Sequence, residues 1–293
     1  MQQDLNRPIQ SAEVVVALRT ASTKESDPVV ANPDYLARHF VTSSFYSRLI
    51  SLPGKTCREE FEKILPGSYC YFLARTKFVD QCFARAVNED VKQIVILGAG
   101  YDTRSVRLLN ENSDVTVYEI DLPGTQNNKL EKMKMAKLTK NNNVVYIATD
   151  FNNTTLKDLL GNKDFKFDEP AFFIFEGVSY YLEESSARNV FEFVAKSCAK
   201  KSSIVYDYSL KSFVDGSDET YGGKQIQDWI KKNNEPFKFG LHPDDNSPFM
   251  ASCGLKVKKD LGPDEITEAY LSSRIEGVIG KPLGHLRMVY AVN

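Results

Sequence analysis

Residues 91–104 read Val-Lys-Gln-Ile-Val-Ile-Leu-Gly-Ala-Gly-Tyr-Asp-Thr-Arg. An apolar run that leads directly into two glycines and a helix start predicts a buried strand turning sharply into a helix. Gly98 and Gly100 permit a tight turn and a close approach of the backbone to a ligand, and the helix start offers free N–H groups. The stretch therefore predicts a nucleotide-binding turn at the end of a strand.

A second strand is predicted about twenty residues later, where residues 115–121 read Val-Thr-Val-Tyr-Glu-Ile-Asp. An acidic side chain at this place suits the paired hydroxyls of a ribose. Glu119 and Asp121 alternate to the same face of the strand, so either could bind a ribose.

Further β-rich runs indicate an α/β fold with a mostly parallel sheet. With the two strands above, these runs lie at 93–98, 115–121, 144–149, 171–176, 203–208, 254–258 and 285–292, and helix-compatible segments separate the first five. Residues 1–90 lack strand character and predict a helical N-terminal cap, including a helix from Tyr69 to Asn88, on a core formed by 91–293. The long aromatic-rich connection at about 209–252 is typical of a lid over a ligand.

Composition favours a small-molecule or protein partner in the cytoplasm. The chain has 37 basic and 39 acidic side chains, a net charge of -2, so no global charge attracts nucleic acid or an anionic membrane. Its five cysteines are scattered, with no C-x-x-C pair, which suggests neither a disulfide framework nor a metal site. The N-terminal stretch lacks an apolar run long enough to span a bilayer.

The strand ends carry acids rather than bases. The glycine pattern has Thr103 where a dinucleotide fingerprint has its third glycine, Asp102 follows the turn, and Asp150 and Glu176 follow later strands. Acids disfavour a pyrophosphate and suit a ligand with ribose hydroxyls, an adenine amine and a cationic or zwitterionic tail. S-adenosylmethionine has this set of groups. An NAD(P)-dependent oxidoreductase is the alternative, favoured only by the strand–glycine–helix pattern.

Six segments, taken in order, resemble the leucine carboxyl methyltransferase family, which includes bacterial polyketide O-methyltransferases. They are Ala17–Ala21, Ala74–Asp80, Val95–Arg104, Tyr118–Gln126, Phe175–Leu182 and Asn234–Gly240. The resemblance covers roughly residues 12–260, and Leu-Gly-Ala-Gly-x-Asp-Thr is its most distinctive part. It implies a Rossmann-like class I methyltransferase fold with a seven-stranded sheet, whose last strand at 286–292 runs antiparallel.

For the methionine end of S-adenosylmethionine, the resemblance implies that Arg75 pairs with the carboxylate and that Gly98 lies under the methionine portion. Glu176 would lie beside the amine, since Leu97 stands where many methyltransferases have an acid. Arg19 matches a further basic residue near the carboxylate. The segment Asn32-Pro-Asp-Tyr35 departs from the Asp-Pro-Tyr-like step of the family.

For the nucleoside end, the resemblance implies that Asp121 holds the ribose and that Asp150, with the backbone of Phe151, binds the adenine edge. Asp150 is also a suitable N-cap for the next helix.

No general base is evident, although Tyr180 and Tyr181 are candidates for the acceptor pocket and His242 and His285 are candidate bases. Histidines at such loop and strand starts more often bond the nearby backbone. Because an ionised carboxylate needs no base, the pattern favours a carboxylate or an acidic phenol as acceptor.

The sequence thus predicts S-adenosylmethionine-dependent O-methylation of a small molecule. Three alternatives remain: methylation of the C-terminal leucine carboxylate of a phosphatase catalytic subunit, as the family name implies, a non-catalytic nucleoside-binding protein, and the NAD(P)-dependent oxidoreductase named above.

Overall fold

The computed structural model describes residues 10–110, 113–138, 143–149 and 154–293. Its strands are β1 (Gln93–Leu97), β2 (Thr116–Asp121), β3 (Val144–Ala148), β4 (Ala171–Phe175), β5 (Ser203–Leu210), β6 (Gly240–Leu241), β7 (Lys256–Leu261), β8 (Ser272–Ser273), β9 (Gly277–Val278) and β10 (Leu286–Val292). The main sheet has the order β3-β2-β1-β4-β5-β10-β7, with β6 beside β5, while β8 and β9 form a separate pair.

The α-helices are α1 (Gln10–Ser22), α2 (Ser44–Ile50), α3 (Gly54–Ile64), α4 (Ser68–Asn88), α5 (Arg104–Arg107), α6 (Pro123–Met135), α7 (Leu156–Gly161), α8 (Glu184–Ser197), α9 (Lys211–Val214), α10 (Gly223–Asn233), α11 (Pro243–Cys253) and α12 (Pro263–Tyr270). Two 3₁₀ turns cover Ala37–Phe40 and Ser179–Tyr181. In the parts of the chain described, no helix is both long and apolar enough to cross a membrane.

The predicted α/β fold is confirmed. Strands β1 to β5 run parallel, and β10 runs antiparallel between β5 and β7. Every residue of β1 and β4 is buried because helices cover both faces of the sheet. Helices α1, α3, α4 and α12 contribute to the core on one face, and α7, α8 and α11 to the core on the other.

Two strand predictions differ from the structure. The main sheet has an eighth member, β6, whose two residues are too few to give a periodic signal. The run expected at 254–258 forms its strand at Lys256–Leu261, because Gly254 ends α11 in a left-handed conformation with φ 96°. The strand β7 lies at the edge of the sheet and carries exposed lysines, so no apolar run in the sequence marks where it begins and ends.

The sheet order positions the site. Strand β1 lies between β2 and β4. The chain passes from β1 to β2 on one side and returns from β3 to β4 on the other side, which opens a crevice beyond the carboxyl end of β1. Ligands of open α/β sheets bind in such crevices.

Candidate active site

A cavity of about 380 Å³ lies in this crevice, a volume within the range of small-molecule sites. Its lining includes nine of the predicted residues: Arg19, Arg75, Gly98, Gly100, Asp121, Glu176, Tyr180, Tyr181 and His285. His242 is not among the lining residues; it is exposed and precedes α11. The predicted adenine site, Asp150 and Phe151, lies outside the described residues.

The glycine turn after β1 is tightly fitted. Gly98 has φ 67°, and a Cβ placed on it would lie 2.3 Å from Cγ2 of Val178. Both a left-handed backbone and the lack of space therefore require glycine here. The N–H of Gly100 donates to Asp121 Oδ2 at 2.5 Å, which connects the turn to the end of β2.

Asp121 is a buried carboxylate that is anchored by backbone. Besides Gly100, the N–H of Leu122 donates to Oδ1 at 2.6 Å. Burial raises the pKa of Asp121, and these two N–H groups oppose that rise. Each carboxylate oxygen has a second lone pair, so the group retains acceptor capacity toward hydroxyls in the cavity.

Glu119, the alternative ribose ligand, does not line the cavity. Its carboxylate is fully buried, accepts a hydrogen bond from Ser105 Oγ at 2.8 Å and lies 2.5 Å from Lys129 Nζ. The two acids share a face of β2, but Glu119 lies two residues farther from the carboxyl end of the strand, under α6. The structure therefore places Asp121 in the cavity wall and Glu119 away from it.

Arg75, from α4, lies between two carboxylates. Its Nε is 2.9 Å from Glu176 Oε1, without the alignment of a hydrogen bond, and its Nη1 donates to Asp207 Oδ2 at 2.7 Å. Asp207 also accepts the N–H of Gly177 at 2.6 Å. Burial alone would lower the pKa of Arg75, but Glu176 and Asp207 raise it well above the ordinary value, so the guanidinium stays charged.

A second guanidinium contacts the other side of Glu176. Arg104 Nη1 lies 2.8 Å from Glu176 Oε2, pairs with Asp102, and its Nε donates to Asp80 at 2.8 Å. Burial raises the pKa of Glu176, but Arg104 and Arg75 outweigh it and hold the pKa below the ordinary value. Glu176 is therefore an ionised carboxylate in the cavity wall.

Arg19 reaches the cavity from α1. Its Nη2 pairs with the buried carboxylate of Asp34 and donates to the carbonyl oxygen of Tyr101 at 3.2 Å. Asp34, from the divergent segment Asn32–Tyr35, also accepts from Thr103 Oγ1 at 2.7 Å. That segment therefore attaches α1 to the glycine turn.

Sequence reasoning missed three residues of this site. Asp207 had a detectable signal, since an acid interrupts the buried strand β5. Arg104 was quoted in the glycine motif but not given a role, and its ion pair with Glu176 spans 72 residues. Thr125 in α6 lines the cavity, and its buried hydroxyl has no hydrogen-bond partner among the described residues.

The charges of the wall favour a cationic or zwitterionic ligand. Asp102, Asp121 and Glu176 line the cavity. The guanidiniums of Arg19 and Arg75 are both already paired with carboxylates. Among the described lining residues, a pyrophosphate would meet acids and only cations that already have carboxylate partners, whereas an ammonium group and ribose hydroxyls would find acceptors.

Comparisons with known proteins agree with the geometry. The chain is 29% identical over 202 residues to a Bacillus subtilis protein provisionally named as an S-adenosyl-L-methionine-dependent methyltransferase, covering 69% of this chain and 66% of the relative. A similarly named Mycolicibacterium paratuberculosis protein is 27% identical over 208 residues, covering 69% and 64%. The chain thus spans just under two thirds of the length of these relatives.

Solved structures show the same fold. A duf574 family protein from Streptomyces avermitilis has a TM-score of 0.62 at 11% identity, with 98% of both chains covered. A Thermobifida fusca protein, provisionally described as a methyltransferase, has a TM-score of 0.59 at 14% identity, covering 99% of this chain and 96% of that one. The family model described as leucine carboxyl methyltransferase matches residues 12–195, which is more than half of the sequence. The chain belongs to the leucine carboxyl methyltransferase family.

Proposed function

We propose that this protein is an S-adenosylmethionine-dependent methyltransferase that methylates an oxygen atom, of a carboxylate or a hydroxyl, on a small molecule in the cytoplasm. One observation carries the proposal: Asp121 and Glu176 lie in the same cavity, on opposite sides of the glycine turn. The first suits a ribose and the second an ammonium group, and both are held in place by buried partners.

The described residues fit the methyl donor. The ribose hydroxyls would donate to Asp121, and the methionine ammonium would donate to Glu176. Arg75 has five N–H donors and only two carboxylate partners, so donors remain for the methionine carboxylate. Gly98 lines the cavity at the turn, where the methionine chain would cross it.

When held by Asp121, Glu176 and Arg75, the donor would supply a sulfonium methyl group; an O–C bond to the acceptor would form while the C–S electron pair goes to sulfur. The protein's contribution is to hold the acceptor oxygen in line with the methyl carbon and the sulfur, which can lower the activation free energy by several kcal/mol. Exclusion of water from the cavity also assists, because the positive charge on sulfur is neutralised as the methyl group is transferred. A hydroxyl acceptor would also release its proton, to solvent water, because no general base is assigned.

Calorimetric titration with S-adenosylmethionine, S-adenosylhomocysteine, NAD and NADP tests the proposal. We expect saturable binding of the first two and none of the nicotinamide cofactors. Binding of NAD or NADP instead would contradict it and favour an oxidoreductase. Binding of S-adenosylhomocysteine without methyl transfer to any small molecule or C-terminal leucine peptide would favour a nucleoside-binding protein.

The variant Asp121→Asn tests the ribose contact. Replacing a carboxylate acceptor by a neutral amide should weaken S-adenosylhomocysteine binding about tenfold to thirtyfold, the loss of a charge-assisted hydrogen bond. Because burial raises the pKa of Asp121 while ribose hydroxyls favour its ionised form, wild-type affinity should fall as the pH drops through that pKa. Titrations at several pH values should show this slope in the wild type and in the exposed control Asp228→Asn, but not in Asp121→Asn.

A further inference from the structure

His285 lies at the far side of the same cavity from the glycine turn. It immediately precedes β10, and its carbonyl oxygen accepts the N–H of Leu210 at 2.7 Å. Because β10 runs antiparallel to β5, its start lies at the carboxyl ends of the parallel strands. From β1 the order runs through β4 and β5 to β10, which places His285 three strand spacings, about 14 Å, from the glycine turn.

The imidazole of His285 is buried without a polar partner. The residue is fully buried, and neither Nδ1 nor Nε2 has a hydrogen-bond partner among the described residues. Its ring stacks on Phe213, with centroids 3.8 Å apart and an angle of 9° between planes. A buried polar group without a partner costs about 1–3 kcal/mol, so a ring of this kind in a cavity wall indicates a ligand that satisfies it.

The surrounding wall is neutral and largely aromatic. We call this part the acceptor chamber, lined by Ser68, Tyr180, Tyr181, Trp229, Phe237 and His285. Phe213 lies behind it and contacts both His285 and Phe237, and the Phe237 ring lies 4.2 Å from that of Tyr180. Ser68 Oγ is likewise buried without a hydrogen-bond partner in the described part of the chain. An aromatic wall with neutral polar groups suits a flat molecule with a hydroxyl.

A carboxylate fits this chamber poorly. Among the described residues, each lysine or arginine side chain that lines the cavity has a carboxylate partner: Arg19 has Asp34, Arg75 has Glu176 and Asp207, and the exposed Lys238 has Glu183 at 3.1 Å. The donors of Arg75 that remain are those assigned above to the methionine carboxylate. Burial lowers the pKa of His285 to about 3, so the ring is neutral at physiological pH. In the described part of the chain, a carboxylate would thus lose its hydration and meet only cations that already have carboxylate partners.

We propose that His285 is the residue that binds the methyl acceptor, and that the acceptor is a small aromatic hydroxyl compound. This deepens and rests on the proposed function, narrowing its acceptor from carboxylate or hydroxyl to a phenol-like hydroxyl. A neutral imidazole has one N–H donor and one bare nitrogen, so it can accept the hydroxyl hydrogen or donate to the hydroxyl oxygen. The hydroxyl is thereby held in the chamber while the aromatic walls hold the ring.

Matched acids and phenols test this proposal in the presence of saturating S-adenosylhomocysteine. The probes are 2-naphthol with 2-naphthoate, and 4-ethylphenol with 4-ethylbenzoate, titrated by calorimetry into the wild type, His285→Phe, His285→Asn and His285→Gln. We expect a phenol of at least one pair to bind at least tenfold more tightly than its acid. His285→Phe keeps the stacked ring but removes both nitrogens, so it should weaken phenol binding at least tenfold.

The amide variants distinguish a hydrogen bond from packing. Asn places an amide near the position of Nδ1 and Gln near that of Nε2, so one of them should restore phenol binding to within about threefold of the wild type. The affinity for S-adenosylhomocysteine should stay unchanged in all three. Mass spectrometry should find the methyl ether of the bound phenol after incubation with S-adenosylmethionine.

Three results would overturn the inference: acids that bind as tightly as phenols, no binding of either class, or phenol binding that His285→Phe leaves unchanged. In each of these cases, unchanged binding of S-adenosylhomocysteine would still support the proposed methyl-donor site. If S-adenosylhomocysteine itself does not bind the wild type, the proposed function fails and the inference fails with it.

Discussion

The two ends of the cavity solve the problem of burying polar groups in opposite ways. At the end formed by β1, β2 and β4, Asp121, Glu176 and Arg75 are charged and each has protein partners within 2.9 Å. In the acceptor chamber, His285 and Ser68 are neutral and lack partners among the described residues. The charged groups of the first end are organised before any ligand arrives, although the Thr125 hydroxyl there also lacks a partner among the described residues. The second end leaves its polar groups for a ligand to complete.

The difference has an energetic cause. We call the end formed by β1, β2 and β4 the donor end. Isolated buried charges are so costly that this end is stable only as a complete network of ion pairs. A neutral imidazole or hydroxyl without a partner costs much less, so a protein of ordinary stability tolerates it. Substitutions at the donor end should therefore change both the stability of the fold and ligand binding. Substitutions in the acceptor chamber should change one of the two without the other.

The largest expected effect comes from Arg75→Met. Removing the guanidinium leaves Glu176 with one cation and Asp207 with none, which should lower the free energy of unfolding by about 3–5 kcal/mol and abolish S-adenosylhomocysteine binding. Urea unfolding and calorimetry measure the two effects. The control Lys63→Met removes only an exposed pair with Glu60 and should leave the free energy of unfolding almost unchanged. Equal losses in the two variants would mean that the buried network is not coupled to stability.

A smaller effect is expected at the glycine turn, where the structure offers a matched pair. Gly98 and Gly216 have φ 67° and 83°, but a Cβ would contact Val178 at Gly98 and nothing within 4 Å at Gly216. Both alanine variants should lose about 1–2 kcal/mol for the left-handed backbone. Gly98→Ala should lose about 1–3 kcal/mol more for the overlap and also weaken S-adenosylhomocysteine binding. Identical unfolding curves would show that Val178 moves aside freely.

Much of the donor end could be predicted because its residues lie at strand ends, and strand ends are visible in sequence as apolar runs that stop. Asp121 and Glu176 each follow such a run, and the sheet brings them to one edge. Arg75 lies on a helix, where its charge alone is uninformative, and only the family resemblance singled it out. Its contact with Asp207 joins residues 132 apart, which no local pattern encodes.

The chamber was harder to predict because its character depends on missing partners. His242 and His285 occupy similar contexts in sequence, each before a helix or a strand, and both were expected to bond the nearby backbone. In the structure His242 is exposed and outside the cavity, whereas His285 is fully buried in its wall. Sequence reveals which groups could form hydrogen bonds, but burial and the absence of a partner arise only when distant segments pack.

The smallest expected effect uses these two histidines to sharpen the comparison. His285→Phe removes two unpartnered nitrogens while keeping the stacked ring, so at neutral pH it should stabilise the fold by up to about 1 kcal/mol. The folded pKa of about 3 lies below the ordinary value near 6.5, so unfolding takes up a proton as the pH falls below 6.5. The wild type should therefore lose stability in acid relative to His285→Phe, and the gap should widen down to about pH 3.

Urea unfolding between pH 7 and pH 4 measures this gap, with His242→Asn as the exposed control that should follow the wild-type curve. A gap that stays constant with pH would mean that His285 is not held neutral by burial. A gap that widens on acidification, together with unchanged S-adenosylhomocysteine affinity, would show that the chamber and the donor end are energetically separate. The acceptor side of the cavity could then change its specificity without disturbing the ion pairs that hold the donor side together.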